Sequence, residues 1–189
     1  MFSFTTSMTP GPNNIMLLSS GLTFGYKRTI PHILGVIIGF PVMTIFVGLG
    51  LGEFFKLYPF TFIVLKIIGI MYLLYLAWKI AISTPEFKEK DKNAQPLKFL
   101  PIILFQWINP KNWIKIITAM SVYVTSVEHA TAQIIVITTM FFITVLISAN
   151  SWTLGGVVLK KFIKSNVGIK RFNIIMAMLL VLSIIPTLL

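Results

Sequence analysis

Two proline-containing breaks in otherwise apolar segments constrain the fold of this chain more than any other feature. The first break is Thr9-Pro10-Gly11-Pro12-Asn13-Asn14. The second, about a hundred residues later, is Asn109-Pro110-Lys111-Asn112-Trp113. A proline inside a helix removes a backbone donor and clashes with the carbonyl one turn earlier. In a bilayer this is tolerated only where the freed groups face protein or a water-lined cavity, so both breaks point to one internal site.

The composition places these segments in a membrane. Hydrophobic residues make up 56% of the chain and charged residues only 11%, and the mean hydropathy is +0.89. A soluble domain carries about 25% charged residues. The length of 189 residues accommodates about six spans of roughly 20 residues each. We therefore predict an all-α, polytopic membrane helix bundle of about six transmembrane helices, forming a single domain over residues 1–189.

Several classes of function are disfavoured by what the chain lacks. It has no cysteine, which excludes a thiol relay, a disulfide framework and a thiolate metal site. Its two histidines and its carboxylates do not have metal-ligand spacing, so we expect no metal and no cofactor. The net charge of +11 comes from lysines at the ends of apolar runs, which indicates the positive-inside effect and not nucleic-acid binding.

The apolar runs predict spans at about residues 2–23, 33–52, 59–81, 99–121, 132–152 and 172–188. The first span is the most polar, and Met1 precedes the Thr9-Pro10 break by only eight residues. We expect that Met1 is an internal start and that upstream residues are missing. The alternative is a shallow first half-span and a bundle with five full crossings.

The distribution of Lys and Arg predicts the orientation. The loops after spans one, three and five hold two, five and five of these residues if Lys79 is included, whereas the loops after spans two and four hold one and none. The basic loops, including the long loop 83–98, should face the cytoplasm of a bacterial cell. This loop divides the chain into halves of about 1–82 and 99–189 with opposite orientation. Because each half begins with a broken span, an inverted repeat is predicted, which is a known design of transporters.

The residues at the breaks indicate what the site binds. Asn109 is a favourable N-cap and Pro110 suits the first helical position, and Thr9-Pro10 is interpreted in the same way. Two helix N-termini would then meet near the bilayer midplane and attract a carboxylate. The asparagines of both breaks add donors and acceptors, as a zwitterion needs. The absence of acidic residues from the middle of any span favours a neutral substrate.

Other polar residues leave alternatives open. Lys111 could pair with a substrate carboxylate or could snorkel to the interface, whereas snorkelling is the expectation for Lys66 and Lys115. His32 is expected in a loop at the cytoplasmic edge. Trp113 could wall the site or pack elsewhere. A polar face in span five could line a path or bond back to its own helix, and consists of Thr144, Ser148 and Ser151.

The segment TPGPNNIMLLSSGLTFGYKRT, which begins at Thr9, closely resembles the opening of the LysE/RhtB family of amino-acid exporters. The glycine-spaced second span, the LAWKIA motif ending span three and the NPKNW motif of span four extend the resemblance over essentially the whole chain. It is most similar to the neutral branch, which includes exporters of cysteine and O-acetylserine and of homoserine and threonine. The signature residues of the family match Thr9, Pro10, Gly11, Pro12, Asn13, Asn109, Pro110 and Lys111.

The resemblance implies a multi-pass protein of the bacterial inner membrane that exports a small neutral amino acid by alternating access. Its expected partners are the amino acid and membrane lipid, and a homodimer is conceivable. One alternative is a non-transporting membrane subunit or regulator, which would show a tight partner and no flux alone. A membrane-embedded enzyme would need a nucleophile with a base, or a metal cluster, and the sequence supports neither. An ion channel or metal exporter would need a ring of charges or metal ligands, which the sequence does not support either.

Overall fold

The computed structural model describes residues 1–51, 57–82, 96–126, 128–163, 165–183 and 185. Within these ranges the chain forms eight α-helices and no strand, which confirms the predicted all-α class. The helices are α1 (Phe2–Met8), α2 (Pro12–Phe24), α3 (Tyr26–Phe46), α4 (Pro59–Ile82), α5 (Phe99–Ile108), α6 (Pro110–Tyr123), α7 (Ala130–Phe162) and α8 (Asn166–Leu182). A π-helical turn, Val47–Leu51, continues α3. Most of the predicted loop 83–98 lies outside the described residues.

Two of the described helical segments are each long and apolar enough to cross a bilayer. They are α3 with part of its π-helical turn, Tyr26–Gly50, and α7, Ala130–Phe162. On α3, exposed apolar side chains recur every fourth residue at Ile30, Leu34, Ile38 and Val42. An apolar stripe of this kind is left without a partner in water but is satisfied by lipid. The predicted number of six crossings stays a prediction.

Helix α3 begins at Tyr26, several residues before the predicted start of the second span. Gly25 has a φ of 78°, a conformation that glycine adopts without strain, so one residue suffices to turn the chain from α2 into α3. As a result, His32 lies inside the helix and is fully buried. The expectation that His32 is a loop residue is wrong for this reason, while its position at the cytoplasmic edge stays a prediction.

The bundle is centred on α2, α3 and α7. Helix α2 packs most extensively against α7 and also contacts α3 and α8, while α3 packs against both α7 and α5. Helices α4 and α8 form a second pair. Large side chains fill the centre, and the largest fully buried ones include Phe40, Phe105, Trp113 and Phe141. This packing brings both proline-containing breaks to the inside of the bundle.

Glycines at four-residue spacing allow α3 and α5 to approach closely. A Cβ atom added at Gly39 would lie 2.9 Å from Cγ of Gln106 and 3.0 Å from Cα of Ile103. One added at Gly35 would lie 2.7 Å from Cβ of Ile102. The helix that precedes the second break is therefore held against α3 at a distance that larger side chains would prevent.

Candidate functional site

The first break separates α1 from α2. Thr9 and Gly11 have extended backbone conformations, with φ/ψ of −61°/136° and −177°/178°, and Pro12 is the first residue of α2. Thr9 is the C-cap of α1, and its hydroxyl donates to the carbonyl of Thr5 at 2.6 Å. The predicted role of Thr9 as an N-cap is therefore wrong. The second proline of the motif takes the N1 position, which moves the start of the helix past Pro10.

The second break separates α5 from α6 in the predicted way. Asn109 is extended, with φ/ψ of −82°/107°, and Pro110 is the first residue of α6. The side-chain oxygen of Asn109 accepts a hydrogen bond from the backbone N–H of Lys111 at 3.2 Å. The N-cap predicted at Asn109 is confirmed, and it satisfies one of the N–H groups that a helix start leaves without a partner.

Both breaks border one cavity of about 30 Å³. Residues of α3 and α7 complete its wall. The described residues that line it are Thr6, Ser7, Gly11, Pro12, Asn13, Asn14, Val36, Phe40, Asn109, Lys111, Asn112, Lys115, Val145, Ser148 and Ala149. The predicted meeting of the two breaks at one internal place is thus seen in the structure.

Each break uses the same device to satisfy the backbone of the helix before it. The asparagine two residues after the N1 proline donates its amide to a carbonyl at the end of the preceding helix. In the first break, Asn14 Nδ2 donates to the carbonyls of Ser7 at 2.7 Å and Thr9 at 3.0 Å. In the second, Asn112 Nδ2 donates to the carbonyl of Gln106 at 3.2 Å. The two breaks are therefore alike in hydrogen bonding as well as in sequence.

The residue between proline and asparagine reaches across to the other break. Asn13 Nδ2 donates to Oε1 of Gln106 at 2.8 Å. Lys111 Nζ donates to the carbonyls of Pro10 at 2.9 Å and Thr9 at 3.1 Å. The close approach of Lys111 depends on Gly11, since a Cβ atom added at Gly11 would lie 2.7 Å from Lys111 Nζ. These cross-links join the two breaks directly.

Several polar residues of the site were missed by sequence reasoning, and Lys115 is the clearest case. Its side chain is only 8% exposed, and Nζ donates to the hydroxyl of Ser7 at 3.2 Å. The prediction that Lys115 snorkels to the interface is wrong, because its ammonium is buried in the bundle interior, next to the rings of Phe40 and Phe141. A signal was present, since Lys115 follows Lys111 by four residues and shares its helix face.

Gln106 and Ser7, together with Thr6, were missed as well. Gln106 is the one amide side chain in the otherwise apolar helix α5 and is fully buried. Its Oε1 also accepts from Asn112 Nδ2 at 3.0 Å, so it lies between the two breaks. The isolation of this amide in an apolar run was the signal for it. Ser7, 5% exposed, lay among many polar residues of the first span and had no such signal.

The three residues of the polar face predicted on span five lie in different environments in the structure. Ser148 lines the cavity and donates to the carbonyl of Ser7 at 2.7 Å. Thr144 is buried beside it, and its hydroxyl lies 3.0 Å from the carbonyl of Met140 in its own helix. Ser151 is exposed and is not among the lining residues.

The remaining predicted residues lie at the edge of the cavity or behind it. Thr9 and Pro10 are exposed and contribute backbone carbonyls to the Lys111 ammonium. Pro110 is buried without lining the cavity. Trp113 is also buried, and its indole N–H donates to the carbonyl of Trp107 at 2.6 Å, so it caps the end of α5. Among the residues that the structure describes, no group of His, Asp or Glu could hold a metal ion.

An all-helical bundle with lipid-compatible faces, enclosing a polar cavity between two interrupted helices, has the architecture of a membrane transporter. A comparison with family models agrees with this class. The model described as LysE type translocator matches residues 4–184, and the chain belongs to this family. This confirms the family identified from the sequence motifs. The family and the apolar helices together support a multi-pass protein of the inner membrane.

Curated relatives are similar over nearly the whole chain. The cysteine/O-acetylserine efflux proteins of Escherichia coli (strain K12) and of Shigella flexneri are each 29% identical to it over 183 residues. The matched region covers 95% of this chain and 90% of each relative. A further cysteine/O-acetylserine efflux protein, from Escherichia coli O139:H28, is 28% identical over the same length. No solved structure matches the chain significantly.

Proposed function

We propose that this protein is a secondary exporter that carries a small neutral amino acid or amino-acid derivative across the bacterial inner membrane by alternating access. The observation that carries the proposal is that both helix breaks border one cavity and contribute asparagine side chains to its wall. Membership of a translocator family and the efflux function named for the relatives support the direction of transport.

The proposed architecture has six crossings arranged as an inverted repeat, in which α1 and α2 correspond to α5 and α6, α3 to α7, and α4 to α8. The repeated Pro-x-Asn device at the two breaks supports this correspondence. The packing supports it as well, because α3 contacts α7 and α4 contacts α8. Elements related by a two-fold axis are expected to meet in such pairs. The basic loops would face the cytoplasm.

The chemistry of the cavity suits an amino acid. Helices α2 and α6 both begin at its wall, and their N-termini favour a carboxylate. The side-chain oxygens of Asn13 and Asn14 and the carbonyls at the end of α1 can accept from a substrate ammonium group. No Asp or Glu is among the described lining residues, so a second positive charge on the substrate would lack a partner. A neutral zwitterion fits this set of groups better than a dibasic amino acid does.

The volume of the cavity explains why motion belongs to the mechanism. About 30 Å³ has room for roughly one or two water molecules and not for an amino acid. Binding must therefore separate groups that now contact one another, such as Asn13 with Gln106 or Lys111 with the carbonyls of Thr9 and Pro10. We propose that one half rocks against the other, and that the substrate replaces these cross-links when it binds.

Counterflow in proteoliposomes tests the proposal. Vesicles containing the purified chain alone and loaded with one unlabelled amino acid should accumulate the same labelled amino acid, screened over the twenty common amino acids and O-acetylserine. Cysteine and O-acetylserine are the first candidates, from the names of the relatives. Absence of flux for every compound would refute the exporter and favour the alternative of a non-transporting subunit.

Site variants make the test specific. Asn13→Leu and Asn109→Leu should abolish counterflow, because each removes a polar group at a break, while the amount of protein in the membrane stays unchanged. Asn150→Leu is the matched control, since it removes an amide that is not among the lining residues of the cavity. Normal exchange by the Asn13 and Asn109 variants would show that the site is elsewhere.

A further inference from the structure

Lys115 carries an ammonium group that is buried in the cavity wall without an anionic partner among the residues that the structure describes. Its side chain is 8% exposed, and Nζ lies 4.4 Å from the ring centre of Phe40 and 5.4 Å from that of Phe141. Nζ donates a hydrogen bond to the hydroxyl of Ser7, at 3.2 Å. Rings and a hydroxyl stabilise a cation, but they do not neutralise its charge.

The elements packed around Lys115 supply no negative charge. Helix α1 contributes Ser7, α3 contributes Phe40 and α7 contributes Phe141, and the titratable neighbour on its own helix is the like-charged Lys111. The only acidic residue in the part of the chain that the structure describes is Glu128, which does not line the cavity. A buried intramembrane charge of this kind is costly, and a bound anion would supply a counter-charge for it.

Lys111 differs from Lys115 in this respect. It is less deeply buried, and its ammonium donates to two backbone carbonyls, of Thr9 and Pro10. Its charge is therefore met by groups of the protein and by water at the mouth of the cavity. Lys115 lies deeper, within the wall formed by α1, α3 and α7, where an arriving anion would be shielded from water and attracted more strongly.

We propose that Lys115 is the anchor for the substrate carboxylate and the residue that makes the site specific for a free carboxylate. This assignment rests on the proposed function and deepens it. In the occupied state the substrate carboxylate accepts hydrogen bonds from Lys115 Nζ and from the hydroxyl of Ser7, whose proton turns toward the carboxylate. Phe40 and Phe141 hold the ammonium in place from the opposite side.

Competition binding to the purified protein in detergent separates this role from a structural one. Labelled cysteine is the probe, kept reduced, and the competitors are unlabelled cysteine and cysteinamide, which replaces the carboxylate by a neutral group of the same shape. The chain has no cysteine, so the probe forms no disulfide with it. The wild type should prefer the acid to the amide by about ten- to hundredfold, as loss of one hydrogen bond to a charged group predicts.

In Lys115→Met this preference should fall by about tenfold or more, because binding of the acid weakens while binding of the amide is retained. Lys115→Arg keeps the charge and should keep the preference. Lys98→Met removes an exposed lysine outside the cavity and should leave binding of both compounds unchanged. A purely structural role for Lys115 would weaken acid and amide equally, and that result overturns the assignment.

The outcomes also separate this assignment from the proposed function. Absence of counterflow by the wild type with every amino acid overturns both. Counterflow and acid preference in the wild type, together with an unchanged preference in Lys115→Met, overturn the assignment alone.

Discussion

The contact between Gly11 and Lys111 allows the link between the two breaks to be tested by one added methyl group. In Gly11→Ala the new Cβ would lie 2.7 Å from Nζ and 2.8 Å from Cδ of Lys111, so the lysine side chain has to leave its position. The backbone at Gly11 is extended, with φ −177° and ψ 178°, which alanine also adopts. The substitution therefore acts on Lys111 and not on the conformation of the break.

The size of the effect follows from the two hydrogen bonds that are lost, from Nζ to the carbonyls of Thr9 and Pro10. A hydrogen bond to a charged group contributes about 1.5–3 kcal/mol when it is buried. Lys111 is only partly buried, so water replaces much of this interaction. We expect Gly11→Ala to lower the free energy of unfolding by about 1–2 kcal/mol in total.

A double-mutant cycle with Lys111→Ala isolates this interaction. Equilibrium unfolding of the detergent-solubilised protein in SDS would be measured for the wild type, both single variants and the double variant. Gly11→Ala should cost almost nothing once Lys111 is alanine, because neither the clash nor the bonds exist in that background. The coupling free energy should then be about 1–2 kcal/mol, and additivity within about 0.5 kcal/mol would refute the proposed contact.

Three further substitutions test the rest of the framework. In the same unfolding assay, Gly39→Ala should destabilise the protein by about 1–3 kcal/mol, because the added methyl group meets the backbone of α5. Gly155→Ala is the control and should change stability little, because its Cβ would lie 3.4 Å from a flexible leucine side chain. Asn112→Leu removes the two hydrogen bonds from Asn112 Nδ2 to Gln106. It should lower the free energy of unfolding by about 1–3 kcal/mol and slow counterflow. Full activity of this variant would show that the second break needs no side-chain cap. Tyr26→Phe removes the hydrogen bond from its hydroxyl to α7 and should lower stability by about 1 kcal/mol without changing counterflow.

The positions of the two breaks could be predicted because proline constrains the backbone wherever the chain packs. Asn109 before Pro110 was recognisable as a cap from residue types alone, and the structure agrees. The first break was predicted at the right place but with the wrong cap, since its two prolines both fit the N1 position and sequence cannot choose between them. In the structure α2 starts at the second of these prolines, Pro12, and α1 before it packs against α7.

The depth of polar side chains was harder to predict. Whether a lysine snorkels or points inward depends on the rotation and tilt of its helix, which neighbouring helices determine. Lys115 lies on α6, whose orientation is fixed by the cap at Asn109 and by contacts with α7. His32 was placed in a loop because the basic residues before it suggested a helix end. In the structure the chain turns at Gly25 alone, so the next helix begins at Tyr26 and includes these basic residues and His32.

The cross-links between the breaks bear on how the chain is assembled. The carbonyls of Thr9 and Pro10 receive their lysine partner from residues synthesised 102 and 101 positions later, and Asn13 finds its amide partner 93 positions later. During biosynthesis these groups of the N-terminal segment therefore lack their partners until the C-terminal half has been made. An N-terminal fragment ending before α5 should be recognised by quality-control proteases, and co-expression of the complementary fragment should protect it.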